Sequence, residues 1–289
     1  MKTIVTQVIP TVQGEGFSIG TLVLLVRLGN CNLECNFCDS KWSNNLNSSW
    51  IESFDPNKNT TPPVVITDDN FDLFIQYLSS FVDKFKLQTL LITGGEPFCN
   101  KPFLDRLIET IPEKIPNLVN IEIETNGTLI RTLEDIDILI NHSKHTPIQL
   151  NISPKLNPDY YRSVNIKSIH DIIYLFDTNL RNTALMTNKL IVSQFKFVYF
   201  KESEEDIIKF TSYFLEKYKT LYINIMPLTP ARSDFEKEID FLTAVKTNCL
   251  DTLTFCFKNE FPFSPRLHVW LFDQLKKDEN FGLENSIKL

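Results

Sequence analysis

Leu22-Val-Leu-Leu-Val-Arg-Leu28 is a short apolar run that passes directly into Gly29-Asn-Cys-Asn-Leu-Glu-Cys-Asn-Phe-Cys-Asp-Ser40. A run of this length, rich in Leu and Val and stopped by Gly-Asn, predicts a buried strand. Cys31, Cys35 and Cys38 then lie within eight residues on the loop that leaves it. The pattern recurs: apolar runs at Thr89–Thr93, Val119–Glu124, Ile148–Ile152, Phe195–Phe200 and Leu221–Met226 read as strands. Between and after them lie amphipathic stretches at Phe71–Phe85, Phe103–Ile111, Leu133–Asn141, Ser168–Thr187, Glu204–Tyr218 and Phe235–Asn248. In the first of these, Phe71, Phe74, Ile75, Leu78, Phe81, Val82 and Phe85 recur at three- and four-residue steps, one apolar helical face. The stretch at 166–190 has the most broken pattern, interrupted by Asn179, Arg181 and Asn182. Strand and helix in alternation predict βαβ units, right-handed crossovers and a parallel sheet, an α/β fold.

Five of the runs end in chemically distinctive residues: GNCNLECNFCDS after the first, then GGEP at 94–97, TNG at 125–127, SPK at 153–155 and PLTPAR at 227–232. Ligands of parallel α/β folds bind at the carboxyl ends of the strands, so five such ends predict one shared site. With 29 Lys and Arg against 36 Asp and Glu, the net charge of −7 leaves no cationic excess for phosphates. That argues against non-specific nucleic-acid binding and against an anionic membrane surface. A composition that is 43% hydrophobic argues against wholesale disorder. The opening MKTIVTQVIP reaches Gln7 and Pro10 too soon for a signal-peptide core, so a cytoplasmic location is expected. Without repeats or a dividing linker, residues 1–289 read as one domain. An insertion or flap is expected at 42–69 and a carboxyl-terminal extension from about 228.

The six cysteines divide into the cluster of three and three scattered ones. Cys99 reads as a plain thiol and Cys249 and Cys256 as core residues. His142, His145 and His170 read as solvated, while His268 stays open. A closed zinc site needs four protein ligands, and no fourth Cys or His lies near the cluster in sequence. Three thiolates suit a 4Fe-4S cluster with one iron left open to a small molecule. Zinc completed by a distant residue, or three ordinary thiols, are the other readings.

The spacing CxxxCxxC, with the aromatic Phe37 just before the last Cys, resembles the radical S-adenosylmethionine superfamily. The resemblance implies a partial, open-sided (β/α)6 barrel. It also implies a 4Fe-4S cluster on Cys31, Cys35 and Cys38, whose open iron is chelated by the amino and carboxylate groups of S-adenosylmethionine. Thr93-Gly-Gly-Glu-Pro97 matches that superfamily's glycine-rich motif, where Glu96 can accept from an ammonium. Val12-Gln-Gly-Glu-Gly16, Val26-Arg-Leu28, Cys38-Asp-Ser40, Ser153-Pro-Lys155 and Phe195-Lys-Phe-Val198 narrow the resemblance to the 7-carboxy-7-deazaguanine synthase family. The likeness runs to about Met226 and is only partial at RLHVWLF, which begins at Arg266.

This narrower resemblance implies that Val12, Gln13 and Gly14 contact a pterin, with Glu15 nearby. Arg27 would hold the substrate carboxylate in its guanidinium fork, with Thr93 and Pro227 at the same pocket. Phe37, Cys38, Asp39, Gly95, Thr125, Asn126 and Ser153, Pro154 and Lys155 would flank S-adenosylmethionine, and Ser40 would offer a hydroxyl to Mg²⁺. The reaction implied is hydrogen abstraction from C6 of 6-carboxytetrahydropterin, ring contraction and loss of ammonia, with S-adenosylmethionine regenerated. A flavodoxin or ferredoxin donor and a homodimer come with it. Two departures stand out: Asn30, where the family usually has Gly, and Ser40 for the commoner Thr. Asn is the next-best residue for a left-handed turn. The alternatives are a glycyl-radical enzyme activase, a non-catalytic iron-sulfur or zinc module, and a diverged relative acting on another pterin or purine.

Overall fold

The computed structural model describes residues 1–44, 64–156, 168–185, 191–218, 221–230 and 234–273. The run at 22–28 is strand β2, Leu22–Leu28, preceded by β1, Lys2–Val12. After the cysteine loop come β3 (Val64–Thr67), α1 (Phe71–Phe85), β4 (Thr89–Gly94), α2 (Lys101–Lys114), β5 (Asn120–Thr125) and α3 (Asp137–His142). The chain continues through β6 (Ile148–Ile152), α4 (Ile169–Thr183), β7 (Ile191–Tyr199), α5 (Glu204–Lys217) and β8 (Ile223–Pro227). The last described elements are α6 (Glu238–Asn259) and the short α7 (Leu267–Asp273).

All eight strands form one sheet in the order β3-β1-β2-β4-β5-β6-β7-β8. The six from β2 to β8 run parallel, while β1 lies antiparallel to both β2 and β3. Its two edges, β3 and β8, are not paired with each other, so the sheet is an open, partial (β/α)6 barrel with an antiparallel extension. That extension corrects the expected layout. Val64–Thr67, inside the stretch expected to be irregular, is a strand, whereas 45–63 lie outside the described residues. Pro10 is tolerated in β1 because β3 pairs only with Lys2 to Val5, leaving one side of Pro10 without a ladder partner among the described strands.

Along the parallel strands the pleat sorts side chains by polarity. One face carries Leu24, Val26, Leu28, Leu90, Ile92, Ile121, Ile123, Leu150 and Phe195, which are buried in the main core with the helices. α1 contributes Phe71, Phe74, Ile75, Leu78, Phe81 and Val82 to that core, as its spacing predicts. Beneath α4 and α5, Phe176, Phe195, Phe197, Phe210 and Phe214 interlock with ring centroids 4.5–6.4 Å apart, an arrangement favoured by the aromatic quadrupole. The broken stretch at 166–190 contains α4: Ser168 caps it by accepting from the Asp171 amide at 3.3 Å, and Arg181 turns outward onto Asp177. The helix ends at Thr183, short of the expected Thr187, and residues 186 and 187 of that stretch lie outside the described residues.

α6 runs through Asn259, eleven residues past its expected end, and lies against β8. The chain then returns along β8, with the Ile225 amide donating to Pro262 O and the Ser264 amide to Ile225 O. From there it reaches the loop after β1, where the Leu267 amide donates to Gly14 O at 2.9 Å. Among the described residues no helix is long and apolar enough to cross a membrane.

Candidate active site at the carboxyl ends of the strands

From β5 to β8 the face of the sheet opposite the helices is polar, whereas on β2 and β4 it carries a small apolar cluster of Val23, Leu25 and Leu91. Glu122 and Glu124 on β5, Asn151 on β6, Gln194 and Lys196 on β7 and Asn224 on β8 alternate with the core residues just named. Most are buried: Asn151, Gln194 and Lys196 have no exposed surface. Buried polar groups must find partners, and these form a rung across the sheet. Asn224 Nδ2 donates to Gln194 Oε1 (2.7 Å), Gln194 Nε2 to Asn151 Oδ1 (2.6 Å) and Asn151 Nδ2 to Glu122 Oε2 (3.2 Å).

Gln13 and Glu15, from the loop after β1, join this wall. Gln13 Nε2 donates to Glu122 Oε2 (3.0 Å) and Glu124 Oε1 (3.3 Å). Lys196 Nζ donates to Glu15 Oε2 (2.9 Å) and to both oxygens of Glu124 (2.8 Å each). Burial alone would raise the Glu15 carboxyl, but Lys196, Arg266 and His268 together hold it well below the usual carboxylate range. Arg27 pairs in register with Thr93 of β4, and its Nε donates to Gln7 Oε1 at 3.0 Å. Burial lowers its pKa, opposed by Asp39, Glu124, Cys38 and Glu15, so these groups share one electrostatic environment.

The cysteine loop is anchored backbone to backbone. Asn30 adopts φ +71°, the left-handed turn that its residue type allows. The Gly95 amide donates to Leu28 O (2.9 Å) and the Glu96 amide to Asn30 O (2.8 Å). Gly94 is required here: at φ +131° a Cβ would lie 2.1 Å from the Leu28 carbonyl oxygen. Asn126 Nδ2 donates to Asn32 Oδ1 (2.9 Å) and Asn32 Nδ2 to Thr128 Oγ1 (2.8 Å), tying the loop to the end of β5. Glu96, fully buried, accepts from Thr125 Oγ1, the Asn126 amide and the Phe98 amide. Three protein donors thus tie the ends of β4 and β5 together through this carboxylate, two on Oε1 and one on Oε2, which leaves Oε2 an acceptor position for the expected ammonium.

All three loop cysteines are free thiols, with Cys35 buried and Cys31 and Cys38 half-buried. Burial raises Cys31, and it pushes Cys35 up to about 11; Glu96 and Cys38 add to the first and Cys38 and Cys31 to the second, and Lys155 opposes both. The Leu33 amide donates to Cys31 Sγ at 3.4 Å, the kind of contact that supports a cluster-bound thiolate. Among the described residues no three His, Cys, Asp or Glu converge on a single-ion position, as closed zinc requires. Cluster ligands sit on separate irons, so this donor set of three soft thiolates fits a 4Fe-4S group. Phe37 beside Cys38 lines a cleft with Pro154, Lys155, Phe197, Val198 and Phe200. Lys155 Nζ donates to Ser153 Oγ at 3.0 Å. Ser40 Oγ lies 3.6 Å from Cys38 Sγ. Cys99 is half-buried near Cys31, its thiol pushed up to about 11 mainly by burial.

The sequence reading missed Lys196 and Arg266 as site residues. Arg266 Nε donates to Glu15 Oε1 (2.8 Å) and Nη1 to Thr229 Oγ1 (2.7 Å), while Nη2 pairs with Asp39. His268, left open in the sequence, packs on Gly14, where a Cβ would come within 2.0 Å of its Nδ1. Pro227 is buried at the end of β8, two residues before Thr229. The alternation in IEIE, QLN, QFK and NIM was the legible signal for the polar wall; Arg266 had none, since its partners are more than 30 residues away.

Comparison with known proteins agrees with this geometry. The 7-carboxy-7-deazaguanine synthase of Hyperthermus butylicus is 24% identical over 273 residues, covering 92% of this chain and 91% of that protein. The protein of the same name from Rickettsia prowazekii is 32% identical over 134 residues, about half of each chain, at 46% and 47%. The crystal structure of QueE from Escherichia coli shares the fold, with a TM-score of 0.51 and 17% identity over 93% of this chain and 95% of that one. The Radical SAM superfamily model matches residues 25–214, from β2 through most of α5, and the chain belongs to that superfamily.

Proposed function

We propose that this chain is a 7-carboxy-7-deazaguanine synthase, converting 6-carboxy-5,6,7,8-tetrahydropterin to 7-carboxy-7-deazaguanine and ammonia in the supply of queuosine precursors. The observation that carries this reading is the buried wall of amides, carboxylates and Lys196 at one end of the sheet, continuous through Glu15 and Asp39 with the cysteine loop. Such a wall suits a flat heterocycle rich in N–H donors and carbonyl acceptors.

A cluster on Cys31, Cys35 and Cys38 with bound S-adenosylmethionine would supply one-electron cleavage of a C–S bond, the source of a carbon radical. The chain's own residues bind and orient. Gln13, Gly14 and Glu15, with Val12 at the strand end, meet the pterin edge, and Lys196 keeps Glu15 ionised. Arg27 takes the carboxylate, with Thr93 beside it in register and Pro227 across the pocket. Phe37, Cys38, Asp39, Gly95, Thr125, Asn126 and Ser153 to Lys155 border S-adenosylmethionine, and Glu96 fixes Thr125 and Asn126 from behind. Ser40 would offer one hydroxyl oxygen to Mg²⁺, an ion that takes few protein ligands. One hydrogen atom is taken from C6 and one hydrogen atom, not necessarily the same one, is given back, and ring contraction with loss of one ammonia balances every substrate atom. The conversion is therefore redox-neutral and S-adenosylmethionine is regenerated. A flavodoxin or ferredoxin as donor, a homodimer and a cytoplasmic location accompany this reading.

Anaerobic incubation of the reconstituted protein with the pterin, S-adenosylmethionine, dithionite and Mg²⁺ tests it. Mass spectrometry is expected to find the deazaguanine with ammonia in equal amount. Cleavage of S-adenosylmethionine without that product would overturn the substrate assignment.

A further inference from the structure

Three segments distant in sequence meet at one guanidinium. Glu15 comes from the loop after β1, Asp39 follows the last cysteine of the cluster loop, and Thr229 follows β8. Arg266 contacts all three, each through a different nitrogen. The strip carrying it is fastened on both sides: Ser264 Oγ accepts from the Gly16 amide at 2.8 Å, the Leu267 amide donates to Gly14 O, and the Ser264 amide donates to Ile225 O. The Arg266 side chain is 11% exposed and that of Glu15 10%, so this pair acts where water competes weakly, while Asp39 is exposed on its outer side.

We propose that Arg266 is a positioning residue that fixes the distance between the substrate loop, through Glu15, and the cofactor loop, through Asp39. This rests on the reading above, in which Glu15 lies beside the pterin and Asp39 beside S-adenosylmethionine. Radical transfer needs the donor carbon held against the hydrogen it takes, and a misplacement of about 1 Å costs about a hundredfold in rate. The planar fork suits the role because three partners at fixed angles define a geometry, whereas a lysine ammonium on a flexible stem offers only a point charge. In this role Arg266 acts through Glu15 and Asp39.

The test compares wild type with Arg266→Lys and Arg266→Gln as reconstituted holoenzymes under dithionite. The readout is the ratio of 5′-deoxyadenosine released to 7-carboxy-7-deazaguanine formed. Wild type regenerates its cofactor and releases little deoxyadenosine. Both variants are expected to keep cleaving S-adenosylmethionine while product formation falls by about a hundredfold, so the ratio rises steeply. An unchanged ratio, with both products falling together or neither falling, would overturn the proposal. If Arg266→Gln does not fold, Arg266→Lys is judged by the same ratio. Amide exchange supplies a readout independent of the pterin. Faster exchange at Gly16, Gly20 and Cys38 in Arg266→Lys supports the clamp, and unchanged exchange overturns it. Should wild type form no deazaguanine at all, the substrate reading fails and amide exchange still decides the role of Arg266.

Discussion

Lys196 shows how a charge can be buried inside a barrel. It has no exposed surface and makes three charge-assisted hydrogen bonds to two carboxylates. Removing one partner of such a set strands the others, so Lys196→Met is expected to cost roughly 3–5 kcal/mol in urea unfolding. An unchanged midpoint would show the network is not formed. His268 makes a pH-dependent contribution. Its imidazole is depressed to about 4, first by burial, with Arg266 and Lys196 also opposing the proton and Glu15 and Asp39 favouring it. Between its usual value of about 6.5 and that lower value, the unfolded chain binds a proton that the folded chain refuses. Stability is therefore expected to fall from pH 6.5 toward 4 and then level off. Thermal melts at pH 7 and pH 5 should show a smaller drop for His268→Gln than for wild type. An equal drop in both would assign the acid sensitivity elsewhere.

At the level of elements, the strands did more than their apolar content announced. The runs at 22–28 and 148–152 and the helix at 71–85 have the bounds their periodicity predicts, because a strong repeat leaves little choice of register. β1 and β3 were not legible: β1 contains Pro10, and β3 is four residues long within a polar stretch. The polar rung was written in the sequence as alternation, yet a run such as IQLNI reads first as apolar. The motifs at GGEP and TNG marked strand ends, but their hydrogen bonds to one another depend on the parallel stacking of β4 beside β5. Asn151 is the hub of the rung, accepting from Gln149 and Gln194 and donating to Glu122. Asn151→Leu is expected to strand the Gln194 amide donor, while Glu122 keeps Gln13, and to cost about 1–3 kcal/mol, read as a lower urea midpoint. Gly94→Ala, at a backbone position closed to a side chain, is expected to lose roughly 3 kcal/mol or more, or not to fold.

Across the whole molecule, the two faces of one sheet divide the work. The helix-covered face supplies most of the hydrophobic core, while the opposite face, beside a small apolar cluster on β2 and β4, gathers charges that are paired with one another and with the loops at its carboxyl end. The carboxyl-terminal strip crosses from β8 to the loop after β1, so the site is assembled from the first and last described parts of the chain. That closure suits chemistry in which a reactive radical must be kept from water. The most direct test of the proposed reaction uses 6-carboxytetrahydropterin deuterated at C6 under anaerobic conditions, followed by mass spectrometry of the recovered S-adenosylmethionine. Deuterium in its 5′-deoxyadenosyl moiety, together with 7-carboxy-7-deazaguanine, is the predicted result. Recovered S-adenosylmethionine free of deuterium, with no deazaguanine formed, would contradict it.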